Sequence, residues 1–402
     1  MNKPDAIPSQ RKSPSFTAEC LSRISKTIDA DVSAGRIPGA VMVIAHQGEV
    51  VFESALGVRD PAARDPLAID AIFRIYSMTK PIVSVGLMML VEEGKLLISD
   101  PVSKYLPELS GLKVGVEKTG ADGTISLSLV PVEKEMTVQD LLRHTSGLTY
   151  GIFGESLVKS EYRQAGVERS SITNSEFMER LAIVPLAYQP GTTWEYSRST
   201  DVLGILIERI SGVTLDVYVD ERILKPLKMK DSGFWVPPDQ HHRIAQAFQT
   251  DPDTGQRIRL LDVRSKPSFL SGGGGMVSTA RDYLRFANML RGGGAYDGVR
   301  LLSRKTVQYM TSDHLCTMPG VTASPTFLPG PGYGFGLGFA VRTSIGGAYS
   351  PGSIGDFNWS GLGGTYFWID PVEDLIAIWM MQAPEQRAHY RQLYRNLVYA
   401  AI

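Results

Sequence analysis

Ser77 and Lys80 stand three residues apart in the run Phe73-Arg74-Ile75-Tyr76-Ser77-Met78-Thr79-Lys80-Pro81. On a helix, side chains at i and i+3 share a face. A hydroxyl and an amine held that way are in hydrogen-bond reach, which is what a serine nucleophile requires of a lysine base. A free lysine titrates near ~10.4 and is a poor base at neutral pH. The positive end of a helix disfavours a second positive charge, and burial does the same, so both lower the pKa of Lys80. The free N–H groups of that first turn also suit an oxyanion.

Ser-x-x-Lys alone is a weak signal. It occurs at Ser9/Lys12, Ser77/Lys80, Ser110/Lys113 and Ser156/Lys159. Only Ser77 lies between an alternating, β-prone run and a long apolar helix, expected from about Pro81 to Leu96. On spacing alone, Ser77 as a plain helix N-cap competes with Ser77 as nucleophile. Two other groupings invite a catalytic reading. His144-Thr145-Ser146-Gly147-Leu148 pairs a histidine with a serine, but it closes a short helix begun by Thr137. There a histidine can satisfy free carbonyls and Gly147 can take the position after the cap. Ser271-Gly272-Gly273-Gly274-Gly275 lacks the Gly-Lys-Ser/Thr of a phosphate loop. It is expected to let backbones approach closely where Ser77 meets the sheet.

The elements that must hold these residues follow from periodicity. Leu21, Ile24, Ile28 and Val32 fall at helical spacing, and Gly35 ends that helix. Ala40 to His46 and Glu49 to Leu56 read as strands around a Gln47-Gly48 turn. Residues 110–134 read as loop and short strand, and 151–171 as a mobile loop. Helices are expected near Ser175–Ile183, Asp201–Ile210, Leu215–Met229 and Ala280–Leu290. Between the first two, Pro190-Gly191 delivers Trp194 and Tyr196 onto a short segment. Gly332 to Phe339, Thr365 to Ile369 and Leu375 to Met381 read as strands, and a helix from about Gln386 finishes the chain. His46, His241 and His242 lack metal-ligand spacing and are expected at the surface. Sheet at both ends with helices between implies an α+β fold. Its antiparallel sheet is built from N- and C-terminal segments flanked by helices, with an inserted helical domain. The order does not repeat βαβ units.

The totals narrow the function classes. The 402 residues suffice for two domains or one two-part domain. With 43% apolar and 21% charged residues, the composition is that of an ordinary globular protein. A formal net charge of −1 gives no electrostatic case for nucleic acid or an anionic membrane. No apolar run approaches the ~20 residues that span a bilayer. Cys20 and Cys316 are too few for a disulfide framework or a thiolate metal site. Residues 1–15 are polar and lack the apolar centre of a secretion signal, so the chain is read as cytoplasmic with a disordered tail over 1–16. No metal or organic cofactor is implied. Oligomeric state is not encoded in anything legible here.

Ser77-Met78-Thr79-Lys80, His144-Thr145-Ser146-Gly147, Pro190-Gly191 with Trp194-Glu195-Tyr196-Ser197, and Gly272 to Gly275 before Ser278-Thr279-Ala280 occur in that order. Together they resemble the serine β-lactamase-like superfamily: class C β-lactamases, D-alanyl-D-alanine carboxypeptidases and family VIII carboxylesterases. The resemblance runs from about residue 17 to the C-terminus. It implies a sheet domain over 17–76 and 236–402, a helical domain over 77–235 and an active site at their interface. It gives Ser77 the role of acylated nucleophile, Lys80 that of its base and Tyr196 that of a proton carrier to the leaving group. The backbone N–H groups of Ser77 and Leu362 match the oxyanion hole. Two departures matter. The family's Tyr-x-Asn reads Tyr196-Ser197-Arg198, and its strand-borne Lys/His-Thr-Gly falls on Trp359-Ser360-Gly361. The cation that meets a substrate carboxylate is thus missing from the strand, and the Lys118-Thr119-Gly120 triplet comes too early to replace it. Trp359 offers an apolar wall instead, as in family VIII carboxylesterases, with Ser360, Gly361 and Tyr150 lining the same pocket. A small, uncharged, short-chain ester is the expected substrate. A β-lactamase, a D-amino-acid peptidase and an acyltransferase share the nucleophile and stand as alternatives, and a non-catalytic scaffold or sensor is the reading from another class.

Overall fold

The structure is a computed structural model that describes residues 16–316, 318, 322–323 and 327–402. The tail expected over 1–16 lies, Phe16 apart, outside the described residues. A Thr17-capped helix α1 (Ala18–Ser33) opens the fold, and the strands β1 (Gly39–His46), β2 (Glu49–Asp60) and β3 (Asp65–Pro66) follow. The chain returns to the same sheet only with β4 (Tyr333–Phe335), β5 (Ala340–Arg342), β6 (Phe357–Ser360), β7 (Tyr366–Asp370) and β8 (Leu375–Met381). The eight strands lie in the order β4-β5-β6-β7-β8-β1-β2-β3, and each neighbouring pair is antiparallel. The two ends of the chain meet where β1 pairs with β8, Met42 opposite Trp379.

The continuous apolar run of β8 is explained by its place at the centre, where all seven residues are buried. Successive side chains alternate faces. Leu375, Ala377, Trp379 and Met381 pack with Ile24 and Ile28 of α1 and with Tyr390, Tyr394 and Val398 of the terminal helix. Ile376, Ile378 and Met380 join the larger core on the other face. That face carries α2 (Thr79–Glu92), α3 (Ser199–Ser211) and α4 (Ala280–Arg291), and α5 (Arg387–Tyr399) covers the first. α2 is buried from Thr79 through Leu90, so it reads as apolar all round.

The structure departs from the sequence reading in four places. Residues 110–134 form a regular hairpin, Lys113–Thr119 against Ile125–Pro131, and Lys118-Thr119-Gly120 sits near its exposed tip. Residues 151–171 contain a helix, Leu157–Ala165, whose N-cap is Ser156. Ser156/Lys159 is therefore a capping motif, the role that competed for Ser77. The helix expected over Leu215–Met229 is α-helical only to Val219. It then widens to i→i+5 bonding, with Lys225 N–H donating to Asp220 O at 2.8 Å. Gly332 to Phe339 is a strand only over Tyr333–Phe335, after which Gly336 N–H bonds Phe339 O and turns the chain into β5.

Candidate active site

The segment bearing Ser77 is fixed on three sides. The short strand Phe73–Arg74 pairs with Val277–Ser278. Arg74 is buried and donates to Ala245 O at 2.9 Å, while Gln382 Nε2 donates to Arg74 O at 3.3 Å. Thr365 Oγ1 donates to Ile75 O at 3.2 Å. Gly361 closes the approach from β6, since a Cβ there would stand 2.3 Å from Ile75 O. Tyr76 then takes φ 43°, the left-handed region that costs a non-glycine residue of order 1 kcal/mol or more. Its hydroxyl accepts the Leu261 N–H at 2.9 Å. A single tight turn, Tyr76–Met78, leads into α2. Ser77 thus sits in the 3-10 turn that leads into α2 and is partly open to solvent, while Lys80 is sealed beneath it at 1% exposure.

Lys80 Nζ donates to Gly273 O at 2.6 Å and to Tyr150 Oη at 3.0 Å, and it lies 3.4 Å from Ser77 Oγ. Among the described residues no carboxylate touches it. Burial lowers its pKa to about 7, with Asp201 opposing and Arg198 reinforcing that fall. Burial, rather than the helix end, is therefore the main cause. The glycine run supplies the carbonyl, yet its closest backbone approach is to α3, where a Cβ on Gly272 would meet Thr200 O at 2.5 Å. This corrects the expectation that the run serves the contact between Ser77 and the sheet.

Tyr196 is 4% exposed, and its ring centroid is 4.5 Å from Lys80 Nζ. Its hydroxyl makes no hydrogen bond of good geometry, and neither does the indole N–H of Trp359 beside it. Burial pushes the phenol well above its ordinary value, and Ser77 and Trp359 only partly offset this. Tyr196 therefore holds its proton at neutral pH. His144 packs against Trp194, Tyr196 and Phe335 and bonds Ser197 Oγ through Nδ1 at 3.1 Å. Burial, then Lys80, keeps it neutral. It supports the Tyr196 ring.

Three neighbours of Lys80 and Tyr150 are given no role by the motifs. Asp201, buried on α3, accepts from Ser271 Oγ at 2.5 Å and from the Gly273 N–H at 2.9 Å. Arg198 pairs with Asp201 at 3.2 Å and with Glu168, and its guanidinium lies 4.8 Å from the Tyr150 ring centroid. The i, i+3 spacing of Arg198 and Asp201 is a usable signal; Glu168 carries none.

Two cavities of about 340 and 360 Å³ meet at this point, and Ser77, Phe153, Tyr196 and Leu362 line both. The first also holds Trp359 and Ser360 and the second Tyr150. Gly361 faces α5, accepting from Arg391 Nη2 at 3.3 Å. Among the described residues no cluster of His, Cys, Asp or Glu could hold a metal ion, and no helix is long and apolar enough to cross a membrane. A serine beside a buried amine whose pKa is brought to about 7, with a proton-bearing phenol close by, is chemically equipped for acyl transfer.

The chain is similar to known proteins over most of its length. A family model described as Beta-lactamase matches residues 24–400. Protein Rv1367c of Mycobacterium tuberculosis is 36% identical over 358 residues, covering 87% of this chain and 86% of that one. Esterase EstB of Burkholderia gladioli is 31% identical over 371 residues, 88% of each chain. Among solved structures, EstCE1, described as a hydrolase with promiscuous acyltransferase activity, superposes with a TM-score of 0.78 at 25% identity, over 95% of this chain and 99% of that one.

Proposed function

The chain belongs to the Beta-lactamase family, and from that premise we propose that it is a serine carboxylesterase acting on small acyl esters through an acyl-enzyme on Ser77. The observation that carries this reading is Lys80, buried within reach of Ser77 Oγ with a pKa of about 7. The kinship with an esterase of Burkholderia gladioli supports the substrate class.

Lys80 takes the Ser77 hydroxyl proton as Oγ attacks the ester carbonyl. The N–H groups of Ser77 and Leu362 receive the oxyanion of the tetrahedral intermediate. Its collapse expels the alkoxide, which Tyr196 protonates, and the Lys80 ammonium restores the Tyr196 proton. Water then attacks the acyl-enzyme, giving its proton to Lys80, and Ser77 leaves with a proton returned by the same route. A neutral lysine amine has two N–H donors and one lone pair. With Gly273 O and Tyr150 Oη taking the two donors, the lone pair is left for Ser77. Tyr150 is therefore a positioning residue for the base as well as a pocket wall. Residues 77–235 are proposed as one domain and 17–76 with 236–402 as the other, with Ser77 at their seam. The free state of Cys20 and Cys316 supports a cytoplasmic setting.

The test is steady-state hydrolysis of a short-chain p-nitrophenyl ester series beside a chromogenic cephalosporin, on wild type and Ser77→Ala. The expected result is strong ester turnover, little cephalosporin turnover and loss of both in the variant. Full esterase activity in Ser77→Ala would sink the assignment, and a preference for the cephalosporin would favour a β-lactamase. Acyl transfer to an alcohol is the second reading. It is favoured by two cavities meeting at Ser77, room for an acceptor beside an acyl chain, and is read by ester exchange when alcohol is added.

A further inference from the structure

The two cavities that meet at Ser77 differ in charge. The one toward residues 261–269 is walled by Phe153, Phe234, Leu261 and Phe269, and its buried Arg198 is already paired with Glu168 and Asp201. The one toward α5 is lined by Arg387, Arg391 and Arg395 and, among the described residues, by no carboxylate. Arg395 is paired with Asp356 at 2.5 Å. Arg387 donates to Pro384 O at 2.6 Å and Arg391 to Gly361 O at 3.3 Å, both backbone carbonyls. Neither makes an ion pair among the described residues. Arg391 Nε is buried with no acceptor among the described residues. A guanidinium presents five donors in a fixed fork, and leaving a buried donor unmet costs about 1–3 kcal/mol.

We propose that Arg391, assisted by Arg387, forms an anion subsite in the α5-side cavity, so that the preferred ester carries a carboxylate on one half and an apolar group on the other. This rests on the esterase reading and deepens it. The strand position filled by Trp359 offers no cation, but a cation reaches the cavity from the terminal helix. The two arginines repel one another, and burial first, then Arg387, lowers the Arg391 pKa to about 10, so Arg391 stays charged at neutral pH. A carboxylate between them would relieve that repulsion and give Arg391 Nε an acceptor. Leu328 and Tyr349, exposed at the same mouth, would flank the chain that carries the carboxylate.

The experiment compares kcat/KM for pairs of equal length. One pair is mono-4-nitrophenyl adipate and 4-nitrophenyl hexanoate, with charge on the acyl half. The other is 4-carboxyphenyl butyrate and 4-carbamoylphenyl butyrate, with charge on the alcohol half. In wild type one charged ester is expected to exceed its neutral partner at least tenfold, and that ratio should shrink as salt rises. Arg391→Met should lower the ratio tenfold or more, and Arg387→Met less. Equal kcat/KM for charged and neutral esters in wild type would overturn the subsite, as would an equal loss on both esters in each variant. The wild-type ratio and its salt dependence decide the matter even if a variant fails to fold. Absence of turnover on all four esters would instead overturn the esterase reading itself.

Discussion

Two buried charge clusters in this molecule respond to burial in opposite ways. At the end of the sheet, Arg342 of β5 and Arg395 of α5 converge on Asp356, at 2.9 and 2.5 Å, all three nearly inaccessible. Arg395 is held well above its ordinary pKa by its anionic and phenolic neighbours, and Asp356, pushed up to about 6 by burial, is still ionised at neutral pH. Beside Ser77, Lys80 is as deeply buried, yet its contacts are a carbonyl, a phenol and a hydroxyl. Asp201, the anion nearby, is spent on Arg198, Ser271 and Gly273. The same desolvation therefore leaves an arginine permanently charged in one cluster and brings a lysine to about 7 in the other. What separates structure from chemistry here is whether a carboxylate touches the buried cation.

The strongest way to break this contrast is to give the active-site cluster a cation that cannot lose its proton. Lys80→Arg keeps the charge and removes the base. Ester kcat/KM is expected to fall by about a thousandfold or more, since general-base assistance is worth roughly 10²–10⁴ and the lone pair cannot be replaced. Retention of activity within tenfold would show that Lys80 is not the base. In wild type the acid limb of kcat/KM should lie near pH 7, with activity rising as Lys80 loses its proton and levelling above it. The complementary change is Asp356→Ala, which strands two buried guanidiniums. It should cost about 3–5 kcal/mol in denaturant unfolding while leaving the position of that acid limb unmoved. A shift of the limb would mean that the clusters are coupled.

The contrast also separates what was legible in the sequence from what was not. β1 and β8 read clearly because their apolar runs have no other use, and Ser77 and Lys80 because a strand-to-helix junction fixes them three residues apart. The fold class followed from the order of strands and helices, and the family resemblance from four motifs in order. The hairpin over 113–131 did not stand out, because its exposed faces carry Lys, Glu and Ser rather than a clean alternation. The helix over Leu157–Ala165 was obscured by its polar composition, although Ser156 capped it. Inside the site, Arg198 was visible only as a departure from Tyr-x-Asn. Its partner Asp201 lies only 3 residues on, a spacing that can be read, but Glu168 lies 30 residues away and meets it only in the folded chain. Arg391 was unreadable for the same reason: an arginine on a terminal helix looks like a solvated face until the sheet brings Gly361 against it.

A smaller effect tests how far Asp201 sets the working pH of Lys80. Asp201 raises the lysine pKa against burial, so its removal should let that pKa fall further. In Asp201→Asn the acid limb of kcat/KM is expected to move below its wild-type position by about one pH unit, or roughly 1.4 kcal/mol between the two protonation states. A limb moving upward would show that the carboxylate acts chiefly by holding Arg198, whose own charge lowers the lysine. The same profile on Glu168→Gln separates the two effects, because Glu168 contacts Arg198 and is not among the groups that shift Lys80.

The smallest expected change is Tyr150→Phe, and it asks the finest question of the site. The ring, its packing on Phe153 and its contact with Arg198 all survive the substitution. Only the acceptor for one Lys80 N–H is lost. If Tyr150 merely walls the pocket, KM changes for bulky esters and the pH profile stays put. If it orients the base, kcat falls about tenfold, because the lone pair is no longer held toward Ser77. The acid limb should also move to lower pH, since a hydrogen bond that stabilises the ammonium more than the amine has been removed. The direction matters more than the size. A merely loosened site admits water, stabilises the ammonium and moves the limb to higher pH, so the two explanations shift the same curve in opposite directions.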